Sequence, residues 1–188
     1  MSAYKVHTRK TATGEAGKSL DNAEALFGFV PNLLGVMAES PQLADAYVYM
    51  SKAVTQTSFT APERHVVWFT INAFHDCHYC MAAHTAGAMM EKVPEKVIAA
   101  ARAEDSYDDP RLEALRLFTL SMLEHRGWVP ASDLEAFHAA GFSKQNVLEV
   151  ILAISHKTLS NYTNHVARTP LDDVFADHKW EKRKQAAE

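Results

Sequence analysis

The stretch Asp76-Cys77-His78-Tyr79-Cys80-Met81-Ala82-Ala83-His84 holds both cysteines of the chain and two of its ten histidines. Placed on a helix at about 100° per residue, Cys77, Cys80 and His84 fall at roughly 0°, 300° and 340°. The three side chains then share one narrow face, with Cys80 and His84 one turn apart. A thioredoxin-type reading of the pair needs a strand before the motif and a βαβ unit, and neither pattern is present. The stretch therefore points to a helical fold.

Working outward, the neighbouring segments read as helices too. Upstream, Val66, Val67, Trp68, Phe69, Ile71, Ala73 and Phe74 make a helix that is apolar around most of its surface, which marks it as central. Phe59-Thr60-Ala61-Pro62-Glu63 supplies its loop, N-cap and first turn. His75-Asp76 breaks the run, and Asp76 is the expected N-cap of a cysteine helix running from Cys77 to about Lys92. Before these, Ser19 to Gly28 reads as a short helix, Pro31 opens another through Met37, and Ser40-Pro41 starts a longer one to about Thr57. The buried stripe expected on the last is Leu43, Ala46, Tyr47, Met50 and Val54. Downstream come Pro94–Arg102, the acidic loop 105–110, and Pro110–His125 with Leu112, Leu115, Leu117, Phe118, Met122 and Leu123. Ser132-Asp133-Leu134-Glu135 has the capping-box pattern and opens a helix that Gly141 ends. Ser143 caps a long final helix to about Arg168, its apolar positions Val147, Leu148, Val150, Ile151 and Ile154. No run alternates with the two-residue period of a half-buried strand. The expected fold is an all-α helical bundle, with residues 1–18 as a polar arm and 19–188 as a single domain. Val174, Phe175 and Trp180 are candidates to pin the tail to the body or to a neighbouring subunit.

At 188 residues the chain can bury a core that needs no metal or disulfide staple. Its formal net charge of -4 gives no electrostatic reason to expect nucleic acid or an anionic membrane as partner. No apolar run reaches membrane-spanning length, and the N-terminus shows no signal-peptide pattern. The expected compartment is the cytoplasm, where an isolated Cys-x-x-Cys is catalytic or metal-binding rather than a static disulfide.

A thiolate is the reactive form of cysteine, and three aids to deprotonation coincide here. The helix N-terminus places partial positive charge near Cys77 and Cys80. His84 lies one turn from Cys80 and can accept its proton. Cys77 is near enough to condense with a sulfenic acid on Cys80. Position assigns Cys80 as the attacking and Cys77 as the resolving thiol, although spacing also permits the opposite order. A competing reading is a non-catalytic zinc-binding or redox-sensing protein, with Cys77, Cys80, His84 and one more histidine around the metal. Met81, Met89 and Met90 read as core fillers. Tyr79 either packs or orients a substrate oxygen, and Asn161 and His165 on the last helix are further candidates to line a pocket.

Cys77 to His84 resembles the Cys-x-x-Cys-x-x-x-His signature of the alkyl hydroperoxidase D-like branch of the carboxymuconolactone decarboxylase family. Supporting similarity runs through Gly28-Phe29-Val30-Pro31-Asn32-Leu33-Leu34, Thr60-Ala61-Pro62-Glu63-Arg64 and Gly141-Phe142-Ser143, over most of residues 20–168. The resemblance implies an all-helical homo-oligomer, a dimer, trimer or hexamer, with thiol peroxidase or disulfide reductase activity. It implies that Cys80 forms the sulfenic acid, Cys77 resolves it and His84 relays the proton. The family's decarboxylases lack the cysteine pair, which disfavours that branch. No flavin, haem or nicotinamide motif is present, so no cofactor is expected; the partners implied are a hydroperoxide substrate and a dithiol electron donor, protein or lipoyl-type. One position departs from the pattern. The family's relay glutamate stands twelve residues before the first cysteine, and that position here is His65. Either His65 takes over the relay, or Glu63 reaches in from an irregular first turn, or the peroxidase activity is weak; His65 as a plain structural histidine stands equally open.

Overall fold

The computed structural model describes residues 4–183; among them are nine α-helices, a final 3-10 turn and no strand. The helices are α1 (Gly14–Phe27), α2 (Asn32–Met37), α3 (Pro41–Thr55), α4 (Ala61–Phe74), α5 (His78–Met90), α6 (Glu95–Ala103), α7 (Pro110–Glu124), α8 (Ala131–Ala139) and α9 (Lys144–Ala167), with the 3-10 turn at Asp173–His178. The all-α expectation holds. Among the described residues no helix is long and apolar enough to cross a membrane. Of the expected arm and domain, residues 1–3 and 184–188 lie outside the described residues.

α4 is the axis of the bundle and packs against α5, α6, α7 and α9. Val66, Val67, Phe69 and Ile71 are buried on its successive faces, each contributing roughly 1.5–3 kcal/mol of apolar burial. Its start is a capping box: Thr60 accepts from the Glu63 backbone and Glu63 reaches back to the Thr60 N–H. One apolar cluster, with Phe69, Ile71, Leu115, Phe118, Phe137 and Phe142, lies among α4, α6, α7, α8 and α9. A second, with Leu20, Leu34, Met37, Ala44 and Tyr47, joins α1, α2 and α3 to Cys77, Tyr79 and Cys80. The thiols thus face the smaller core.

Several local readings are corrected. α1 begins at Gly14, five residues before Ser19; Ser19 is instead fully buried mid-helix, its hydroxyl 3.4 Å from the Pro41 carbonyl. On α3 the buried stripe is Ala44, Tyr47, Ser51 and Val54, and Ala46 faces outward. Asp76 does not cap α5. It takes φ 54° as the left-handed residue after α4, with the Asp76 and Cys77 N–H groups bonding back to Ala73 and Asn72 in a Schellman closure. Cys77 is therefore both the end of that closure and the N-cap of α5. Ser132 is not a cap either, because α8 starts at Ala131 behind Pro130; Asp133 accepts a 2.6 Å bond from Ser121 and ties α8 to α7. Leu117 on α7 and Met89 and Met90 on α5 are exposed, so of the three methionines expected to fill core on α5 Met81 does so. The tail is pinned to its own body by half-buried Phe175, against Phe29 and Tyr79, and by buried Trp180, whose indole donates to Arg102. Val174 is exposed.

Candidate active site

Because the Schellman closure of α4 ends on Cys77, that residue leaves extended (φ −92°, ψ 91°) and hands the chain directly to α5. Cys80 is then the third residue of the new helix, inside the turn whose free N–H groups carry partial positive charge. Cys77 and Cys80 are 1% and 2% exposed and both are free thiols. Asn164 of α9 donates to Cys80 at 3.3 Å and to Cys77 at 3.8 Å, and the two sulfurs hydrogen-bond to one another.

The pair is electrostatically unequal. Burial by itself raises the Cys80 thiol. The hydrogen bond from Cys77, the Lys157 ammonium, and hydrogen bonds from Ser160 and Asn161 reverse it, leaving Cys80 well below the ordinary cysteine value. Cys77 moves the other way, pushed up by its hydrogen bond to Cys80, by burial and by the charge on Cys80.

Lys157 is the residue that sequence reasoning missed. It is 0% exposed on α9, and its Nζ lies 2.8 Å from His84 Nε2. With Lys157 as an ammonium, which has donors only, Nε2 is the acceptor and the ring proton of His84 belongs on Nδ1. Burial, Lys157, His65 and His156 hold His84 well below the ordinary histidine value. His84 packs against Trp68, ring centroids 4.7 Å apart.

His65 is brought to the site and Glu63 is not. The buried His65 ring stands 6.2 Å from that of His84, edge to face, and 5.1 Å from Trp68. Burial, the largest influence, lowers His65 to about 4. Its Nε2 approaches the Glu91 carboxylate at 3.5 Å without a hydrogen bond, and Glu91 is itself held by Arg64. Glu63 faces away from it, at the start of α4: one oxygen closes the capping box on Thr60 and the other accepts from Arg111 Nε at 2.8 Å. The hollow it lines, about 670 Å³, has no cysteine or histidine in its wall.

A cavity of about 400 Å³ opens beside His84. Its wall is mainly apolar and aromatic, including Phe27, Phe29, Tyr47, Trp68, Tyr79 and Phe175, with His65, His84, His156 and Glu91 as polar members. The cysteines are not in the wall itself but pack in one apolar cluster with its Tyr47 and Tyr79. Tyr79 packs, as one of its two readings had it, and its hydroxyl donates to Asp172 while accepting from the Leu33 N–H. Tyr47 stacks on His156 at 4.6 Å. Asn161 is buried and donates to Asn72 at 3.1 Å, whereas His165 is exposed. Asn72 Nδ2, Asn161 Oδ1 and Asn164 Oδ1 are buried without partners, leaving unused hydrogen-bonding capacity around the sulfurs. Among the described residues no three His, Cys, Asp or Glu side chains are grouped to hold a metal ion.

The missed residues share one signal. His156, Lys157, Ser160 and Asn164 recur at helical spacing with the candidate Asn161 and are all buried, a polar stripe that faces inward on a helix whose Leu148 and Ile151 face out.

Residues 41–121, from α3 through most of α7, match the Carboxymuconolactone decarboxylase family. A search of curated proteins returned no match. Among solved structures, an alkylhydroperoxidase AhpD core, a peroxidase-related protein from Ralstonia eutropha JMP134, superposes with a TM-score of 0.79 at 24% identity, covering 93% of this chain and 94% of that one. A peroxidase-related protein from Silicibacter sp. TM1040 gives 0.75 at 16%, covering 92% and 94%. The debrominase Bmp8, in a cysteine-to-alanine form complexed with 2,3,4-tribromopyrrole, gives 0.76 at 16%, covering 95% and 96%. At such identities the likeness is one of fold. The match to the carboxymuconolactone decarboxylase family thus includes Cys77, Cys80 and His84, and nearly the whole chain shares the fold of these solved structures.

Proposed function

We propose that the protein is a thiol-dependent hydroperoxide reductase in which Cys80 attacks and Cys77 resolves. The observation that carries this reading is the asymmetry of the pair: in one hydrogen-bonded dithiol, the sulfur nearer the helix interior is driven toward thiolate and its neighbour is held as thiol. The Cys80 thiolate attacks the terminal oxygen of ROOH, the O–O bond breaks, and Cys80 becomes a sulfenic acid as RO⁻ takes a proton to leave as ROH. The Cys77 thiol then condenses with it, giving a disulfide and water. A dithiol donor, protein or lipoyl-type, returns two electrons and two protons. The orphaned amide groups of Asn72, Asn161 and Asn164 suit an oxygen held beside the sulfurs.

The aromatic wall of the cavity favours a second reading, in which the same dithiol removes a halide from a ring: an aryl halide and two thiols give the reduced ring, halide, a proton and the disulfide. Mass spectrometry of the reduced protein after one equivalent of an organic hydroperoxide should show loss of two hydrogens in the native chain. Cys77→Ser should trap a sulfenic acid on position 80, and Cys80→Ser should leave Cys77 unmodified. Consumption of peroxide by Cys80→Ser at the native rate would sink the assignment. Halide release from a polybrominated pyrrole or phenol, without reaction with peroxide, would select the second reading.

A further inference from the structure

Lys157 has no counterpart in the motif that identifies the site, yet it is the group around which the site's charge is arranged. A fully buried ammonium is costly unless an anion accompanies it. Among the described residues Lys157 forms no ion pair with a carboxylate. Its hydrogen-bond partner is the neutral acceptor His84 Nε2, at 2.8 Å. The ionisable groups that feel its charge are His75 at the end of α4, Cys77, Cys80 and His84 from α5, and His156 beside it on α9; Tyr47 of α3 stacks on His156, and His65 of α4 stands edge to face with His84. Of these, the histidines are bases that a cation discharges, Tyr47 is held neutral by burial, and Cys77 is the donor of the thiol pair. Cys80 is the one member left to carry the compensating negative charge.

We infer that Lys157 is a positioning residue, the internal counter-cation that keeps Cys80 as thiolate and that holds His84 as the Nδ1–H tautomer, so that the relay of this site ends on a cation rather than on a carboxylate. The carboxylate missing from position 65 is then not a defect. A glutamate there would raise the basicity of His84 and draw the proton onto it; here the proton stays on lysine, and the thiolate exists before substrate arrives.

On the hydroperoxidase reading, on which this mechanistic consequence rests, the proton that RO⁻ needs comes from the His84–Lys157 pair. RO⁻ takes the Nδ1 proton of His84, which lines the cavity. His84 Nε2 takes a proton from the Lys157 ammonium, leaving neutral lysine, a sulfenic acid and ROH. The charge of the site falls from one anion and one cation to none. When the donor dithiol reduces the disulfide, the proton that would sit on Cys80 returns to Lys157.

The test is made on the reduced full chain without peroxide. Thiolate absorbance in the ultraviolet, followed against pH in the Cys77→Ser background, should show Cys80 ionised through neutral pH. Lys157→Met should move that transition upward by at least one pH unit, about a tenfold loss of thiolate near neutrality, and Lys157→Arg should keep it low. Nitrogen NMR of His84 should show Nε2 unprotonated in the native chain and a changed tautomer in Lys157→Met. Melting temperatures supply a check that survives poor folding of one variant: Cys80→Ser strands the ammonium and Lys157→Met strands the thiolate, so the double variant should melt above the value expected from adding the two single losses. An unshifted thiolate transition in Lys157→Met, or strictly additive melting losses, would overturn the inference. A native chain that leaves peroxide untouched while these three readouts behave as stated would overturn the proposed activity and leave the Lys157 assignment standing.

Discussion

Glu63 and His65 sit two residues apart on α4 and are turned through about 200° from one another, which separates their roles. Glu63 stabilises the start of α4 and the approach of α7 through Thr60 and Arg111. Glu63→Gln should cost about 1–3 kcal/mol, the range for weakening a charged, mostly buried hydrogen-bond partner, while leaving thiol reactivity unchanged; denaturant unfolding and alkylation rates check the two halves. His65, His84 and His156 are buried neutral. Their folded values lie below the ordinary 6.5, His65 at about 4 and the other two well below it. The unfolded chain therefore binds more protons than the native one under mildly acidic conditions. Stability should be fully present above pH 6.5 and fall as pH drops below it, each histidine adding a slope of up to about 1.4 kcal/mol per pH unit. Urea unfolding at successive pH values, compared with His65→Asn, measures this; an unchanged slope in that variant would place the proton uptake elsewhere.

Among the elements, the ends of helices carry the sharpest consequences. Ser143 accepts from the Asn146 N–H and closes a capping box on α9, whereas Ser132 is exposed at the second position of α8. Ser143→Ala should lower stability by about 1 kcal/mol, and Ser132→Ala should fall within a few tenths of zero. Thermal melts of the two variants decide between a cap and a look-alike, since each serine reads as a helix start from its local sequence. Gly35 in α2 has a different constraint: a Cβ there would meet the His7 carbonyl at 2.5 Å and Val6 at 2.8 Å. Gly35→Ala should release the N-terminal segment from α2, seen as faster proteolysis before Gly14 with the rest of the chain intact. The sequence pattern does not show the neighbour that requires the glycine, because that contact joins segments the chain pattern does not pair.

At the scale of the molecule, α9 presents its polar stripe to the thiols and leaves Leu148, Ile151, Tyr162 and Val166 exposed along its outer side. An apolar row of this length on a surface helix suits burial against another subunit, in keeping with the homo-oligomer the family resemblance implies. Sedimentation should give a mass above that of one 20.9 kDa chain, and Ile151→Glu combined with Val166→Glu should shift it toward the monomer without disturbing the Cys80 thiolate. A native chain that sediments as a monomer would remove the quaternary expectation.

What the amino-acid sequence determined by itself was local and periodic. The all-helical class followed from the 3.6-residue patterning and the central place of α4 from its apolar circumference, and the spacing of Cys77, Cys80 and His84 put these residues forward as candidates. Such features depend on residues a few positions apart, which share backbone geometry whatever surrounds them. Tertiary structure decided the rest. The handover at Asp76 and Cys77 depends on α4 closing before α5 begins, and the direction of α9 depends on which of its two faces the bundle accepts. Buried apolar surface normally sets that choice. On α9 the inward face combines the apolar Val150 and Ala153 with the polar His156, Lys157, Ser160, Asn161 and Asn164, while Leu148 and Ile151 are left outside. The placement of Lys157 against residues more than seventy positions away was therefore legible only once the helices were packed.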